Sequence, residues 1–276
     1  MHYKDFLFGN LNEYSQKRSQ AIKIEEVVKL IKTDYSEAWD KFNDGITIYR
    51  GTVNSSDFFI TDPSLGIRKS ANTLNYYTAI IDNSKRWKDY PKRSKSAICT
   101  TSRAYADYYG SAFCVLPING SNIGVASKGD FWDSFPILDK RLDRTKLPVQ
   151  GLSGLNTLIK FLISIANPNI NTDIKEFSTL AKTLKEVDEY LNKKEYLKDE
   201  TIKQQMLNDA LDFINVQSSG KIDCLKVIDS ILDPEDNNFK KIKLSELSIH
   251  GDHEVWTDGK CLMINVDELD SLGELL

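Results

Sequence analysis

The sequence predicts an α+β fold, on three observations. Apolar residues recur at three- and four-residue steps near the start, short β-branched and aromatic runs broken by turns follow, and a long stretch of helical periodicity separates these from a last group of strands. With 276 residues, 41% of them hydrophobic, the chain can bury a substantial core as one large domain or as two smaller ones.

Between Ile22 and Phe42, residues Ile24, Val27, Val28, Leu30, Ile31, Tyr35, Ala38, Trp39 and Phe42 mark an amphipathic helix that Asn43-Asp44-Gly45 ends. Ile46-Thr47-Ile48-Tyr49 reads as a strand and places Arg50 at its end, before Gly51. A polar, turn-rich loop runs from Asn54 to Lys69, followed by a helix from Thr73 to Tyr90 that Pro91 stops. Ser96 to Cys99 is a short strand leading into Thr100-Thr101-Ser102, and Ser102 is placed to cap a brief helix from Arg103 to Tyr109 that Gly110 ends. Strands at Phe113 to Ile118 and Ile123 to Ala126 precede a turn from Gly129 to Phe135.

Composition changes near Gly151. Leu155 to Leu232 carries helical patterns around Ile174 to Leu191, Glu200 to Val216 and Ile222 to Leu232, with lysines and acids on the outer faces. A turn from Asp233 to Asn238 closes this stretch, and strands return at Lys241 to Leu244, Glu254 to Trp256 and Cys261 to Val266, the last two joined through Asp258-Gly259. The expected organisation is a helical lead-in (1–45), the first part of a core (46–150), a helical insertion or subdomain (151–240) and the closing strands of the core (241–276).

Lysine and arginine number 36 against 40 acidic residues, so the net charge of -4 supplies no overall field for drawing in polyanions. Cys99, Cys114, Cys224 and Cys261 are widely spaced, without a CxxC or Cys/His pairing, and read as reduced thiols of a cytoplasmic protein. Met1 to Gly9 lacks the basic start and apolar run of a secretory signal. The most apolar stretch, Leu155 to Ala166, is interrupted by Lys160 and falls short of the roughly 20 residues that cross a bilayer, so a soluble protein without membrane contact is expected. His250 and His253 flank Asp252 without a third strong ligand, and no metal is expected. Arg86, Lys88, Lys92, Arg93 and Lys95 form a basic run that reads as a solvated turn or as a guide for phosphates. The glycines from Gly120 to Gly129 lack the lysine of a phosphate loop.

Three pieces stand apart: Ile48-Tyr49-Arg50-Gly51, Ile98-Cys99-Thr100-Thr101-Ser102 and Asp252-His253-Glu254-Val255-Trp256. In that order they resemble the motifs of mono-ADP-ribosyltransferases of the arginine, serine-threonine-serine, glutamate group, with the phage enzymes most alike. Thr101 to Gly110 is similar to the helix-and-aromatic segment that follows the family's hydroxyl motif, and Glu254 to Ile264 to its closing hairpin. The helical stretch lies outside the resemblance. Two positions depart from the pattern: Asp252 stands where members that modify arginine carry glutamate, and Thr100 where they carry serine.

The resemblance implies a split, mostly antiparallel pair of small sheets with NAD in the cleft, cleavage of the nicotinamide–ribose bond, and transfer of ADP-ribose to a macromolecular acceptor. That acceptor would be a host protein rather than a nucleic acid, met in the host cytoplasm. It makes Glu254, Asp252, Arg50 and Ser102 the catalytic candidates, and Arg50, Gly51, Thr100, Thr101, Ser102, Tyr109 and Phe113 the NAD-binding ones. The residue types suit those roles. A guanidinium grips phosphate oxygens through two parallel charge-assisted hydrogen bonds. A fixed carboxylate stabilises the positive charge that develops on the ribose as nicotinamide departs. Short hydroxyl side chains on a neighbouring strand both donate and accept, and so orient that carboxylate. Tyr105, Tyr108 and Trp132 are further ring faces for nicotinamide, and Asp252 and His253 could activate the acceptor.

Each piece also has a plainer reading: Arg50 as a surface ion-pair residue, Thr100 to Ser102 as a helix cap, Glu254 as a solvated strand start. An NAD glycohydrolase, and a non-catalytic inhibitor that grips a partner through Leu155 to Leu232, stand beside the transferase.

Overall fold

A computed structural model describes residues 19–66, 74–143, 151–174, 176–194, 204–215 and 221–276. The segment Met1 to Gly9, the stretch Ile67 to Lys69 of the expected loop, Thr73, the Glu200 start and the Val216 end of the expected helices therefore lie outside the described residues.

In chain order the first elements are β1 (Ser19–Ala21), α1 (Ile24–Thr33), α2 (Ser36–Asn43), β2 (Tyr49–Thr52), β3 (Phe58–Thr61), α3 (Tyr76–Asn83), β4 (Ala97–Thr100), α4 (Arg103–Asp107), β5 (Ser111–Pro117) and β6 (Asn122–Val125). The remainder are α5 (Pro136–Leu142), α6 (Gly151–Ala166), α7 (Phe177–Asn192), α8 (Gln204–Asn215), α9 (Cys224–Ile231), β7 (Lys240–Lys243), β8 (Glu254–Thr257), β9 (Cys261–Asn265) and α10 (Leu269–Gly273). The chain forms two compact units, a sheet unit of Met1–Asn72, Asp89–Phe131 and Phe239–Leu276, and a helical unit of Thr73–Lys88 and Trp132–Asn238. The segment Thr73–Lys88, placed by its sequence with the first part of the core, belongs to the helical unit.

The fold is α+β, as the sequence predicts, but its strands form one antiparallel sheet of nine in the order β1-β3-β9-β5-β2-β4-β8-β6-β7 rather than a separate pair. The join is narrow. β2 and β4 share one residue pair, Tyr49 with Thr100, whereas β5 and β9 share five, from Phe113 with Asn265 to Pro117 with Cys261. This seam divides the sheet into a five-stranded half (β1, β3, β9, β5, β2) and a four-stranded half (β4, β8, β6, β7).

Below Tyr49 the strand pairing stops and a side chain takes over: Arg50 Nη1 donates to the carbonyl oxygen of Ile98 on β4 at 2.7 Å. Arg50 lies within β2, not at the end of a preceding strand, because the ladder with β5 runs from Tyr49 to Thr52 and only Ile48, through its carbonyl, extends it backward. β3 falls inside the expected polar loop. Phe58-Phe59-Ile60-Thr61 has the make-up of a strand, and β9 supplies its partner, Phe58 with Ile264 through Thr61 with Cys261.

The expected single helix from Ile22 to Phe42 is two helices broken at Asp34 and Tyr35. The cause is tertiary: the Asn119 side chain donates to Thr33 O at 2.7 Å and accepts from Glu37 N at 3.0 Å, and Asn119 N donates to Asp34 O at 2.8 Å. A turn from the sheet thus takes up the backbone groups that a continuous helix would use internally. The apolar faces of α1 and α2, with Val27, Ile31, Tyr35 and Ala38 buried, pack in one cluster with Phe59, Phe113, Val115, Leu116, Leu262 and Met263 of the sheet. Burial there pushes the Tyr35 hydroxyl up to about 12.

In the helical unit, α6 buries Leu152, Leu155, Leu158, Ile159, Leu162 and Ile163, and α7 buries Leu180, Leu184, Val187 and Leu191 at helical spacing. Trp87 Nε1 donates to Leu232 O at 2.8 Å, and Arg86 pairs with Asp229 at 3.3 Å and with Asp233. No helix among the described residues is long and apolar enough to cross a membrane.

Candidate functional site

The three sequence pieces converge on the seam. β2, β4 and β8 are consecutive strands, and Tyr49, Thr100 and Glu254 are paired residue to residue across them. Residues directly opposite in an antiparallel ladder share a face, so the Thr100 hydroxyl and the Glu254 carboxylate start side by side. Arg50 is one residue out of that row and reaches across the seam to Ile98 and to the Cys99 thiol. Cys99 feels both ends of the site: burial pushes its thiol up to about 11, while the Arg50 guanidinium draws it down and Glu254 raises it. Of the five N–H donors of the Arg50 guanidinium, Ile98 and Cys99 engage only part.

Gly51 is demanded by packing. A Cβ there would lie 2.0 Å from the Ala106 carbonyl oxygen and 2.8 Å from Tyr109 Cβ, so only glycine lets the end of α4 rest on β2 beside Arg50.

The hydroxyl segment ties the site together through its backbone. Thr101 Oγ1 donates to Gly251 O at 2.8 Å and accepts from His253 N at 2.8 Å, and Thr101 N donates to His253 O at 3.0 Å. The loop that delivers Glu254 is therefore clamped by the middle residue of the triplet. Thr100 Oγ1 accepts from Ser102 N at 3.1 Å. Ser102 precedes α4 as expected, but its side chain makes no capping bond, and α4 stops at Asp107 rather than Tyr109. The cap role read from sequence is thereby corrected: the turn is held by Thr100 and by the bond from Ala106 N to Ser102 O at 3.1 Å.

Glu254 is not a solvated strand start. Its side chain is 13% exposed, its Oε1 lies 2.5 Å from Arg93 Nη1, and its Oε2 accepts from Phe131 N at 3.1 Å. Arg93 is 3% exposed and lies 3.6 Å above the centre of the Phe131 ring. The solvated turn expected for the basic run from Arg86 to Lys95 therefore does not hold for this one member. Trp256 covers the same pocket, donating from Nε1 to Pro91 O at 2.9 Å, and it fits because Gly124 opposite has no side chain to meet its ring. Sequence reasoning does not single out Arg93, since nothing in a run of five basic residues marks which one is buried.

The remaining candidates divide. Asp252 is exposed, two residues before Glu254. The two ring nitrogens of His253 lie 2.9 Å from Ala126 O and 3.2 Å from His250 O, which places this imidazole in the loop's own bonding. Tyr105 and Tyr108 are 41% and 49% exposed, each ring edge-on to Tyr109 at 5.7 Å, and Tyr105 Oη reaches Asp130 at 3.4 Å. Phe113 is fully buried against Phe59, a core residue with no face to offer a ligand, because β5 is covered along its length after Ser111. Trp132 belongs to the helical unit, edge-on to Tyr77 at 5.4 Å. Among the described residues no group of three or more His, Cys, Asp or Glu could hold a metal ion.

Neither protein-family models, nor curated proteins, nor solved structures give a match to this chain.

Proposed function

We propose that this chain is a mono-ADP-ribosyltransferase, which breaks the bond between nicotinamide and the ribose of NAD and joins the ribose carbon to a nucleophilic side chain of an acceptor protein. The observation that carries the reading is the pairing of Thr100 with Glu254 across β4 and β8, next to Arg50 on β2. Residues 50, 100 and 254, far apart in the chain, thus lie on three neighbouring strands, with Tyr49 in the Thr100–Glu254 row and Arg50 one residue beyond it. The one-pair seam between the two halves of the sheet supports the split core of that family.

In this reading Arg50 binds the pyrophosphate, which its planar fork matches. Glu254, held at both oxygens, keeps lone pairs for the ribose 2-hydroxyl and stabilises the cationic ribose as nicotinamide leaves with the bonding electron pair. Thr100 and Ser102 line the approach to it, and Thr101 fixes the loop. Exposed Asp252 is placed to take the proton of the incoming acceptor. Tyr105 on α4 and Tyr108 just after it offer ring faces near Arg50's strand.

Incubation of NAD labelled in its adenylate part with cell lysate and the purified protein tests this. Label on protein, lost with Glu254→Gln, is the expected result. Free ADP-ribose and nicotinamide alone would make the chain a glycohydrolase, and intact NAD would remove the enzymatic reading.

A further inference from the structure

Arg93 has no part in the resemblance, yet it is the most deeply buried charged residue among those described. Burying a guanidinium costs hydration that only close, well-aligned partners offset. Arg93 has close partners, an ion-pair contact with Glu254 Oε1 at 2.5 Å that does not have hydrogen-bond alignment, the Phe131 ring at 3.6 Å and the Trp256 ring at 5.6 Å. Phe131 serves both members of the ion pair, with its N–H on Glu254 Oε2 and its ring under the cation. Trp256 lies two residues after Glu254, on the same side of β8, and its bond to Pro91 O anchors the chain just before Arg93. Each carboxylate oxygen therefore lies against a buried group, the Arg93 guanidinium at one and the Phe131 N–H at the other.

We propose that Arg93 is a positioning residue, which stops the Glu254 carboxylate from rotating, so that the ribose meets a fixed negative charge. This rests on the reading of Glu254 as the catalytic carboxylate. A buried ion pair adds little net stability compared with apolar residues of like size, so packing alone gives no reason for a charge here. Preorganisation of a charge aimed at a developing cation does give one.

Nicotinamide release from NAD, followed as kcat and KM across the acid pH range, tests the role in full-length wild type, Arg93→Lys and Arg93→Met. In Arg93→Met we expect kcat per folded molecule to fall about 100-fold with KM within about twofold, the loss typical of a misplaced electrostatic group. The acid limb of its kcat profile should also move to higher pH, because a buried carboxyl without its cation resists ionisation. Arg50, Cys99, Lys128, Asp252 and His253, charged or ionisable residues next to Glu254 in the fold or the chain, are the same in every variant. Arg93→Lys keeps the charge and should leave the limb in place, with kcat down about tenfold because one ammonium replaces the fork. A purely structural Arg93 would lower the folded fraction and move neither the limb nor kcat per folded molecule, and that result overturns the proposal. If Arg93→Met does not fold, Arg93→Lys decides alone, and wild-type kcat in that variant overturns it. Failure of the wild type to release nicotinamide is a different outcome: it removes the reading of the site, and this role with it.

Discussion

The two halves of the sheet bury different things. The five-stranded half hides rings, aliphatic chains and thiols, with Phe59, Phe113, Cys114, Leu262 and Met263 all under 5% exposed. The four-stranded half hides a charge pair, Arg93 with Glu254, inside an aromatic wall of Phe131, Phe239 and Trp256. Apolar burial stabilises in proportion to area, whereas a buried ion pair gains little overall and is costly only when broken. The first half is therefore built for stability, and the second carries a charge arrangement that stability does not require. Perturbed or desolvated charges of that kind concentrate at functional sites.

Three experiments break or sharpen this contrast. The largest effect is expected from Arg93→Met, which leaves the Glu254 carboxylate buried without its cation and should cost about 3–5 kcal/mol in urea unfolding. The double variant Arg93→Met/Glu254→Gln should recover most of that loss, since no charge remains uncompensated. A double variant as unstable as the single one would show that the four-stranded half depends on Arg93 for packing.

Leu262→Ala, in the middle of β9, should cost about 2–5 kcal/mol through lost burial and a residual cavity. Here a second substitution at a charged site should restore nothing, and the two losses should add. Restoration by Glu254→Gln would mean that the halves are not distinct.

The smallest effect is on pH dependence. Burial pushes Cys99 up to about 11 and Cys114 to about 12, from an ordinary value of 9.0. The native state thus holds protons that the unfolded chain releases, so this contribution is complete below pH 9 and declines as pH rises toward 11 and beyond. The urea midpoint should fall over that range, and less steeply in Cys114→Ala. An identical slope in the variant would contradict it.

Much of the site is legible in the sequence because its parts are local. Glu254 at a strand start, the Asp258-Gly259 turn and the strand from Cys261 can be read from period and turn residues alone, and the structure differs from them by a residue at most. The triplet after β4 is equally legible as a motif, although its middle hydroxyl, on Thr101, bonds to a loop about 150 positions away, which no local pattern encodes. Arg93 is not legible: nothing local separates it from Arg86 or from the lysines beside it, and only the ring of Phe131 and the carboxylate of Glu254 select it for burial. The helix break at Tyr35 is hidden for the opposite reason. The apolar period continues in phase through it, and the interruption comes from Asn119. β3 has a local signal, since four aromatic and β-branched residues stand together from Phe58 to Thr61, but the Ser, Asp and Pro residues around them mask a short edge-ward strand.

The account turns on Arg50, the hydroxyl triplet and Glu254 contacting one dinucleotide. Its most direct test is a crystal structure of the protein with a carbocyclic NAD analogue, whose nicotinamide bond cannot break. The account predicts the pyrophosphate on the Arg50 guanidinium and the ribose 2-hydroxyl within hydrogen-bond distance of Glu254. An analogue bound elsewhere, or bound at Arg50 with its ribose turned away from Glu254, would contradict it.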